Sequence, residues 1–260
     1  MNTYQNKLYI IANLLEKRYY KGIKECIKAL SKSGFDCMLD EEDYKKLYKN
    51  EYVMKFSMKD ADYICSLGGD GTLLLAGQYA IKYNKPLFGI NFGKVGYLCA
   101  YEKGDIDKIT PQSLAKKKIN KEPLLEFKLQ GKTSYSINDV IIGKADFGTT
   151  ISIEAKIANQ EICSYRGDGV IVSTPLGSSA YNHSCGGPKL ARKSNQFVAT
   201  AICPNMSDFR YKRFADNLVC EIKLNSKRTK ANIYSDGKLK GELKKEINIY
   251  KSKKVLRIIR

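Results

Sequence analysis

Asp70 stands in the run Ser66-Leu67-Gly68-Gly69-Asp70-Gly71-Thr72, a carboxylate framed by three glycines. Glycines there let the backbone take positive φ and leave its N–H groups open, so an anion such as a phosphate can come against them. The same residues would also make a plain turn with Asp70 as an ordinary turn residue. Three other segments are unusual in the same way. Residues 89–98, GINFGKVGYL, form a second glycine-rich turn after a strand, expected beside the first along one sheet edge. Asn138 and Asp139 precede the apolar run VIIG. Residues 165–188, YRGDGVIVSTPLGSSAYNHSCGGP, are dense in glycine, hydroxyl and tyrosine, yet free of lysine in a lysine-rich chain, which points to a formed pocket.

Those residues need elements to hold them. The run ADYICSL, 61–67, has strand composition, and from Thr72 the helical spacing puts Leu73, Ala76, Ala80 and Tyr83 on one side, so the glycines fall at a strand-to-helix junction. Residues 7–13, 35–40 and 85–91 read as further strands, while 16–34, closed by Gly34, and 41–50 read as helices. This β-α alternation predicts a Rossmann-like doubly wound parallel sheet whose ligand crevice lies at the carboxyl ends of its strands. From about residue 120 the period changes to two, as in ISIEAKI and CEIKL, and Asp236-Gly237 signals a hairpin. The expected organisation is an N-terminal α/β domain over 1–102 and a β-rich, β-sandwich-like domain over 103–243, entered through the lysine-rich stretch 103–122. The last segment, 244–260, is expected to return to the first domain.

The chain of 260 residues carries a formal net charge of +18. Its lysines are spread along the sequence, which favours solubility and weak attraction to polyanions; specific nucleic-acid binding would ask for an arginine-rich stripe. Cysteines at eight positions include no Cys-x-x-Cys pair and His183 is the only histidine, so neither a zinc site nor a Ser-His-Asp triad is expected. No apolar run approaches a membrane span or a signal peptide. A protein free of nucleic acid and membrane, with reduced thiols in the cytoplasm, is the expectation.

The runs GGDGT, NFGKVGYL, INDV and GDGVIVSTPLGSSAYNHSCGGP, in this order and spacing, resemble the NAD kinase family, with the match covering about 60–190. Diacylglycerol and sphingosine kinases share a turn like the first one, but the long Gly/Ser/Tyr segment separates them. The resemblance implies phosphoryl transfer from ATP, or polyphosphate in some members, to the 2′-hydroxyl of the adenosine ribose of NAD. It implies that Asp70 is the base for that hydroxyl, with Gly68, Gly69, Gly71 and Thr72 around the phosphates and a Mg²⁺ ion bound with the nucleotide rather than at a protein metal site. It assigns Tyr97, Asn138, Asp139, Arg166, Asp168, Thr174, Ser179, Ala180, Tyr181, Asn182, His183 and Ser184 to substrate binding, and it implies a homo-oligomer, dimer or tetramer, whose subunits complete one another's pockets. Leu176 departs from the family, where Thr or Ser is usual. A lipid kinase and a non-catalytic NAD-binding protein are the alternatives.

Overall fold

Alternating apolar strands and amphipathic helices build the first part of the chain into a parallel sheet. The computed structural model describes residues 6–49, 56–93, 96–225 and 229–260. Asn50, at the end of the second expected helix, and Lys94 and Val95, within the second glycine-rich turn, lie outside the described residues. The chain divides into two units, Met1–Glu122 with Leu256–Arg260, and Pro123–Val255.

In the first unit β1 (Lys7–Ala12) leads through α1 (Tyr20–Lys32) to β2 (Asp36–Met38), then through α2 (Glu41–Tyr48) to β3 (Tyr63–Gly68). Helix α3 (Asp70–Tyr83) follows directly, then β4 (Leu87–Asn91). The strand order is β2-β1-β3-β4, all parallel. Every residue of β3 and β4 is buried, as strands covered on both faces must be. Helix α1 buries Ile23, Cys26, Ile27 and Leu30 at helical spacing against Leu8, Ile10, Leu67 and Phe88. Helix α3 buries Leu73, Ala76, Gly77, Ala80 and Ile81. Tyr83, expected on that stripe, is only half-buried, because it lies about 90° round the helix from the stripe's centre. The strand order reverses between β1 and β3, the place where doubly wound sheets open a ligand crevice at their carboxyl ends.

The lysine-rich stretch 103–122 belongs to this first unit rather than to the second. After β5 (Tyr101–Glu102) beside β4, the chain forms a 3-10 turn (Lys103–Lys108) and α4 (Pro111–Ala115), which place Ile106, Ile109 and Leu114 in the same core. Thr110 caps α4 by accepting the Ser113 N–H at 3.0 Å, while Ser113 Oγ accepts the Thr110 N–H at 2.9 Å. Among the last residues of the chain, Ile258 pairs beside Leu87 at the edge of this sheet.

The second unit is antiparallel. Strands β6 (Ile119–Leu129), β7 (Lys132–Ser136), β8 (Asp139–Lys144), β9 (Ile151–Ile157), β10 (Gln160–Gly167) and β11 (Gly169–Ser173) precede the short helix α5 (Tyr181–Ser184). Then come β12 (Gln196–Ile202), β13 (Tyr211–Ala215), β14 (Cys220–Leu224), β15 (Ala231–Ser235), β16 (Lys238–Leu243) and β17 (Glu246–Ile259). One sheet runs β13-β12-β11-β8-β15-β16, and β10-β9-β14-β17 form a second antiparallel set. The period-two residues do what their spacing asks: Ile151, Ile153, Ala155 and Ile157 are buried, facing Val140, Ile142, Val170 and Val172 of the other sheet in one core. Asp236 and Gly237, at φ +48° and +75°, make the two-residue hairpin between β15 and β16. Among the described residues no helix is long and apolar enough to cross a membrane.

Candidate active site

In the first unit the site begins where β3 gives way to α3. Gly69 caps the helix in extended conformation and Asp70 is its first residue, so the Asp70 and Gly71 N–H groups have no partner within the helix. Gly68 is required by close approach, since a Cβ there would overlap the Thr72 side chain. Beyond Gly69 and Gly71 the space is open. The turn therefore offers bare N–H groups at a helix N-terminus, which favours an anion.

Asp70 is half-buried, not the exposed loop residue that a simple turn would make it. Its carboxylate accepts the Tyr97 N–H at 3.1 Å and the Leu98 N–H at 3.0 Å. The second glycine-rich turn thus lies beside the first, and the Phe92 N–H donates to Gly68 O at 3.1 Å across it. Asn91, the first residue of the run NFGKVGYL, anchors that turn: it is buried, donates to the Glu102 carboxylate at 3.2 Å and accepts the Gly93 N–H at 2.9 Å. Tyr97 is 79% exposed, so its ring is free for a ligand and is no part of a core.

In the second unit Asn138 and Asp139 open β8 and are held by a residue far along the chain. The Asp236 carboxylate accepts the Ile137 N–H at 2.9 Å and the Asn138 N–H at 2.7 Å. Asp139 is 3% exposed, and burial, with the negative Asp236 as the second cause, pushes its carboxyl up to about 7. Asn138 keeps a buried side-chain oxygen with no partner in the structure. Sequence gave no sign of the Asp236 role beyond its hairpin.

Within 165–188 the hydroxyl and amide groups divide into two kinds. Thr174, expected to bind substrate, is buried, and its hydroxyl donates to Ile137 O at 2.7 Å while accepting the Gly177 N–H at 3.0 Å. Asn182, expected likewise, is buried, donates to Ser178 O at 2.9 Å and Pro188 O at 3.1 Å, and accepts from Thr200 Oγ1 at 2.7 Å. Both side chains are bonded within the protein and hold the loop in shape. Gly177 lies so close to Asn138 that a Cβ would overlap its backbone. Leu176, the family departure, is buried. Ser179, Tyr181, His183, Ser184 and Arg166 are exposed and Ala180 half-buried.

Asp168 is no loop turn. Its N–H donates to Ile202 O at 3.0 Å and its carbonyl accepts the Lys144 N–H at 2.8 Å, which lace it between β12 and β8. Its carboxylate pairs with Lys144 Nζ at 2.7 Å. A cavity of about 360 Å³ brings Asp168 and Tyr181 together with Lys144, Phe147 and Tyr234, three residues the motifs did not mark.

The first unit is a doubly wound α/β sheet with a glycine turn and a carboxylate at a helix start, and the second unit is antiparallel. Residues 8–118 match the ATP-NAD kinase N-terminal domain and 137–260 the ATP-NAD kinase C-terminal domain. The chain belongs to the ATP-NAD kinase family. It is similar to the NAD kinase of Chloroherpeton thalassium, 31% identical with 97% of this chain and 92% of that one covered. The NAD kinase of Chlorobaculum tepidum is 32% identical, covering 89% of this chain and 82% of that one. In fold the chain is like yeast NADH kinase complexed with NADH, with a TM-score of 0.85, 19% identity and 99% of this chain and 84% of that one covered. It is also like an NAD kinase from Archaeoglobus fulgidus in complex with ATP, at a TM-score of 0.77, 22% identity and coverage of 98% and 93%.

Proposed function

We infer that this protein is a kinase that transfers the terminal phosphoryl group of ATP to the 2′-hydroxyl of the adenosine ribose of NAD, giving NADP and ADP. The observation that carries the reading is the Asp70 carboxylate, fixed by two backbone N–H groups at the start of α3 beside open backbone. Asp70 takes the proton of the ribose hydroxyl as its oxygen bonds to phosphorus and the bond to the leaving ADP breaks. The Asp70 and Gly71 N–H groups, which have no partner within the helix, hold the phosphate oxygens as charge moves among them.

NAD is bound by Asn138, Asp139, Arg166, Asp168, Ser179, Ala180, Tyr181, His183 and Ser184, with Tyr97 against the dinucleotide. Thr174 and Asn182 keep their loop in shape. A divalent ion, magnesium in this reading, neutralises phosphate charge when it arrives with the nucleotide. Among the described residues no three His, Cys, Asp or Glu side chains cluster to hold a metal. All eight cysteines are free thiols, in keeping with a reducing cytoplasm. The family match removes the lipid-kinase alternative.

The test is NADP formation from NAD, with ATP or polyphosphate as donor and Mg²⁺ present, by wild type and Asp70→Asn. Wild-type protein that binds NAD and forms no NADP with either donor would overturn the reading.

A further inference from the structure

The turn that holds Asp70 is itself held, and by one amide. Asn91 ends β4 and is buried. Its side-chain oxygen accepts the Gly93 N–H at 2.9 Å, and its side-chain nitrogen donates to both oxygens of the Glu102 carboxylate at 3.2 Å. Toward the far end of the same turn Gly96 lies against this amide. A Cβ on Gly96 would stand 2.9 Å from Asn91 Cγ and 3.0 Å from Nδ2, so any larger residue would push the two apart. One side chain therefore meets the turn at both Gly93 and Gly96. The next two N–H groups after Gly96 are those of Tyr97 and Leu98, which hold the Asp70 carboxylate.

Which way the amide faces decides whether it can brace the turn. Its oxygen and nitrogen are alike in size, and the partners opposite them select the orientation. Glu102 pairs with Asn91 across β4 and β5 and presents a carboxylate, which accepts hydrogen bonds and cannot donate them. The Glu102 backbone is fixed in turn, its N–H donating to the Asp105 carboxylate at 3.1 Å. With the amide nitrogen committed to Glu102, the oxygen is left for Gly93. Turned over, the amide would set its nitrogen against the Gly93 N–H, donor against donor, and its oxygen against a carboxylate.

We propose that Glu102 is a positioning residue for the phosphoryl transfer: through Asn91 and Gly96 it sets the Tyr97 and Leu98 N–H groups, and these set the carboxylate of Asp70. The assignment rests on the kinase reading above and adds to it what keeps the base in register. The influence of Glu102 passes through backbone to the base, so it falls on the rate and not on the affinity for either substrate. A misplacement of about 1 Å at a catalytic group is worth up to roughly 10²-fold.

Single-turnover NADP formation by wild type, Glu102→Ala and Glu102→Gln, each also in protein carrying Asp70→Asn, tests it together with amide hydrogen exchange read by NMR. Glu102 is exposed, so its replacement leaves the core of the first unit alone. Glu102→Ala should lower the rate about tenfold with the Michaelis constants for ATP and NAD held within about twofold. Glu102→Gln, whose amide oxygen still accepts from Asn91, should keep about half of the rate or more. In the Asp70→Asn protein Glu102→Ala should change the rate by less than about twofold, because no base is left to position. The Tyr97 and Leu98 amides should exchange about tenfold faster in Glu102→Ala than in wild type, while those of β3 keep their rates.

An undiminished rate in Glu102→Ala overturns the proposal. So does an equal loss with and without the Asp70 carboxylate, a rise in either Michaelis constant in place of the loss in rate, or unchanged exchange at Tyr97 and Leu98. Failure of the kinase reading looks different. Protein that shows the faster exchange but makes no NADP keeps the brace and loses the activity, whereas an active enzyme indifferent to Glu102 loses the brace alone.

Discussion

The Leu98 backbone N–H donates to the Asp70 carboxylate at 3.0 Å, and the neighbouring Tyr97 N–H to its other oxygen at 3.1 Å. The first residue of α3 is thereby tied to the end of the second glycine-rich turn. One side chain serves two ends: it fixes the turn that carries Tyr97, and the same contacts hold its own carboxylate in one orientation, with lone pairs left for an incoming hydroxyl. A base that needs no reorganisation is worth more than a free one.

Asp70→Asn accordingly has two effects of different size. The amide nitrogen cannot accept, so one of the two N–H groups loses its partner, at a cost of about 1–3 kcal/mol in stability. The loss of the base should lower the catalytic rate by roughly 10²–10⁴ while NAD affinity changes little. Steady-state kinetics and thermal unfolding of the same samples separate the two. Near wild-type turnover in the variant would remove Asp70 from the chemistry.

Asp139 gives a pH signature. Its carboxyl rises from the ordinary 3.8 to about 7 in the folded protein. Between these values the native state holds a proton that the unfolded chain has released, so this residue's contribution to stability is full below the lower value and is lost as pH climbs to the upper one. The slope it adds is at most about 1.4 kcal/mol per pH unit, with none above that window. Urea unfolding of wild type and Asp139→Asn at successive pH values reads it: the difference in stability between the two proteins should change across the window and level off above it. A difference independent of pH would mean that Asp139 titrates normally.

Gly177→Ala tests the contact that sets the loop against β8. The new methyl overlaps the Asn138 backbone, which cannot move without disturbing the bonds to Thr174 and Asp236. We expect a loss of about 1–3 kcal/mol in stability and a raised Michaelis constant for NAD, with that for ATP nearly unchanged. Unaltered melting temperature and NAD kinetics would show that loop and strand are less closely coupled than their spacing indicates.

What the sequence made legible is local. Glycines between an apolar strand and a helical stripe mark a junction, and alternation of apolar residues marks a half-buried strand, because both patterns lie within a few neighbours. The Asp236 clamp on Asn138 joins residues 98 positions apart, and an Asp in a hairpin looks the same whether or not its carboxylate has distant work. Thr174 and Asn182 are ambiguous in the opposite direction: a hydroxyl or amide that binds substrate has the same letter as one that ties down its own loop. Charge hid the rest. The lysine-rich stretch 103–122 reads as the entry to the second domain, while Ile106, Ile109 and Leu114 within it lie in the first core.

The last prediction concerns self-association. We expect the working form to be a homo-oligomer joined through the second unit, and the structure suggests where to probe. Phe147 is 98% exposed at the mouth of the cavity that holds Asp168 and Tyr181. A phenyl ring in water beside the Asp168 carboxylate costs free energy unless a partner covers it, and a chain at +18 must associate through apolar surface rather than through its lysines. In a two-fold arrangement the same ring on each copy would cover the other copy's cavity, so the contact and the pocket would be lost together. Phe147→Asp, which leaves folding untouched because the side chain makes no part of the core, should shift wild-type oligomer toward monomer in sedimentation velocity and raise the Michaelis constant for NAD in parallel. A wild-type protein that is a fully active monomer at assay concentration would end the shared-pocket idea and leave the kinase assignment standing.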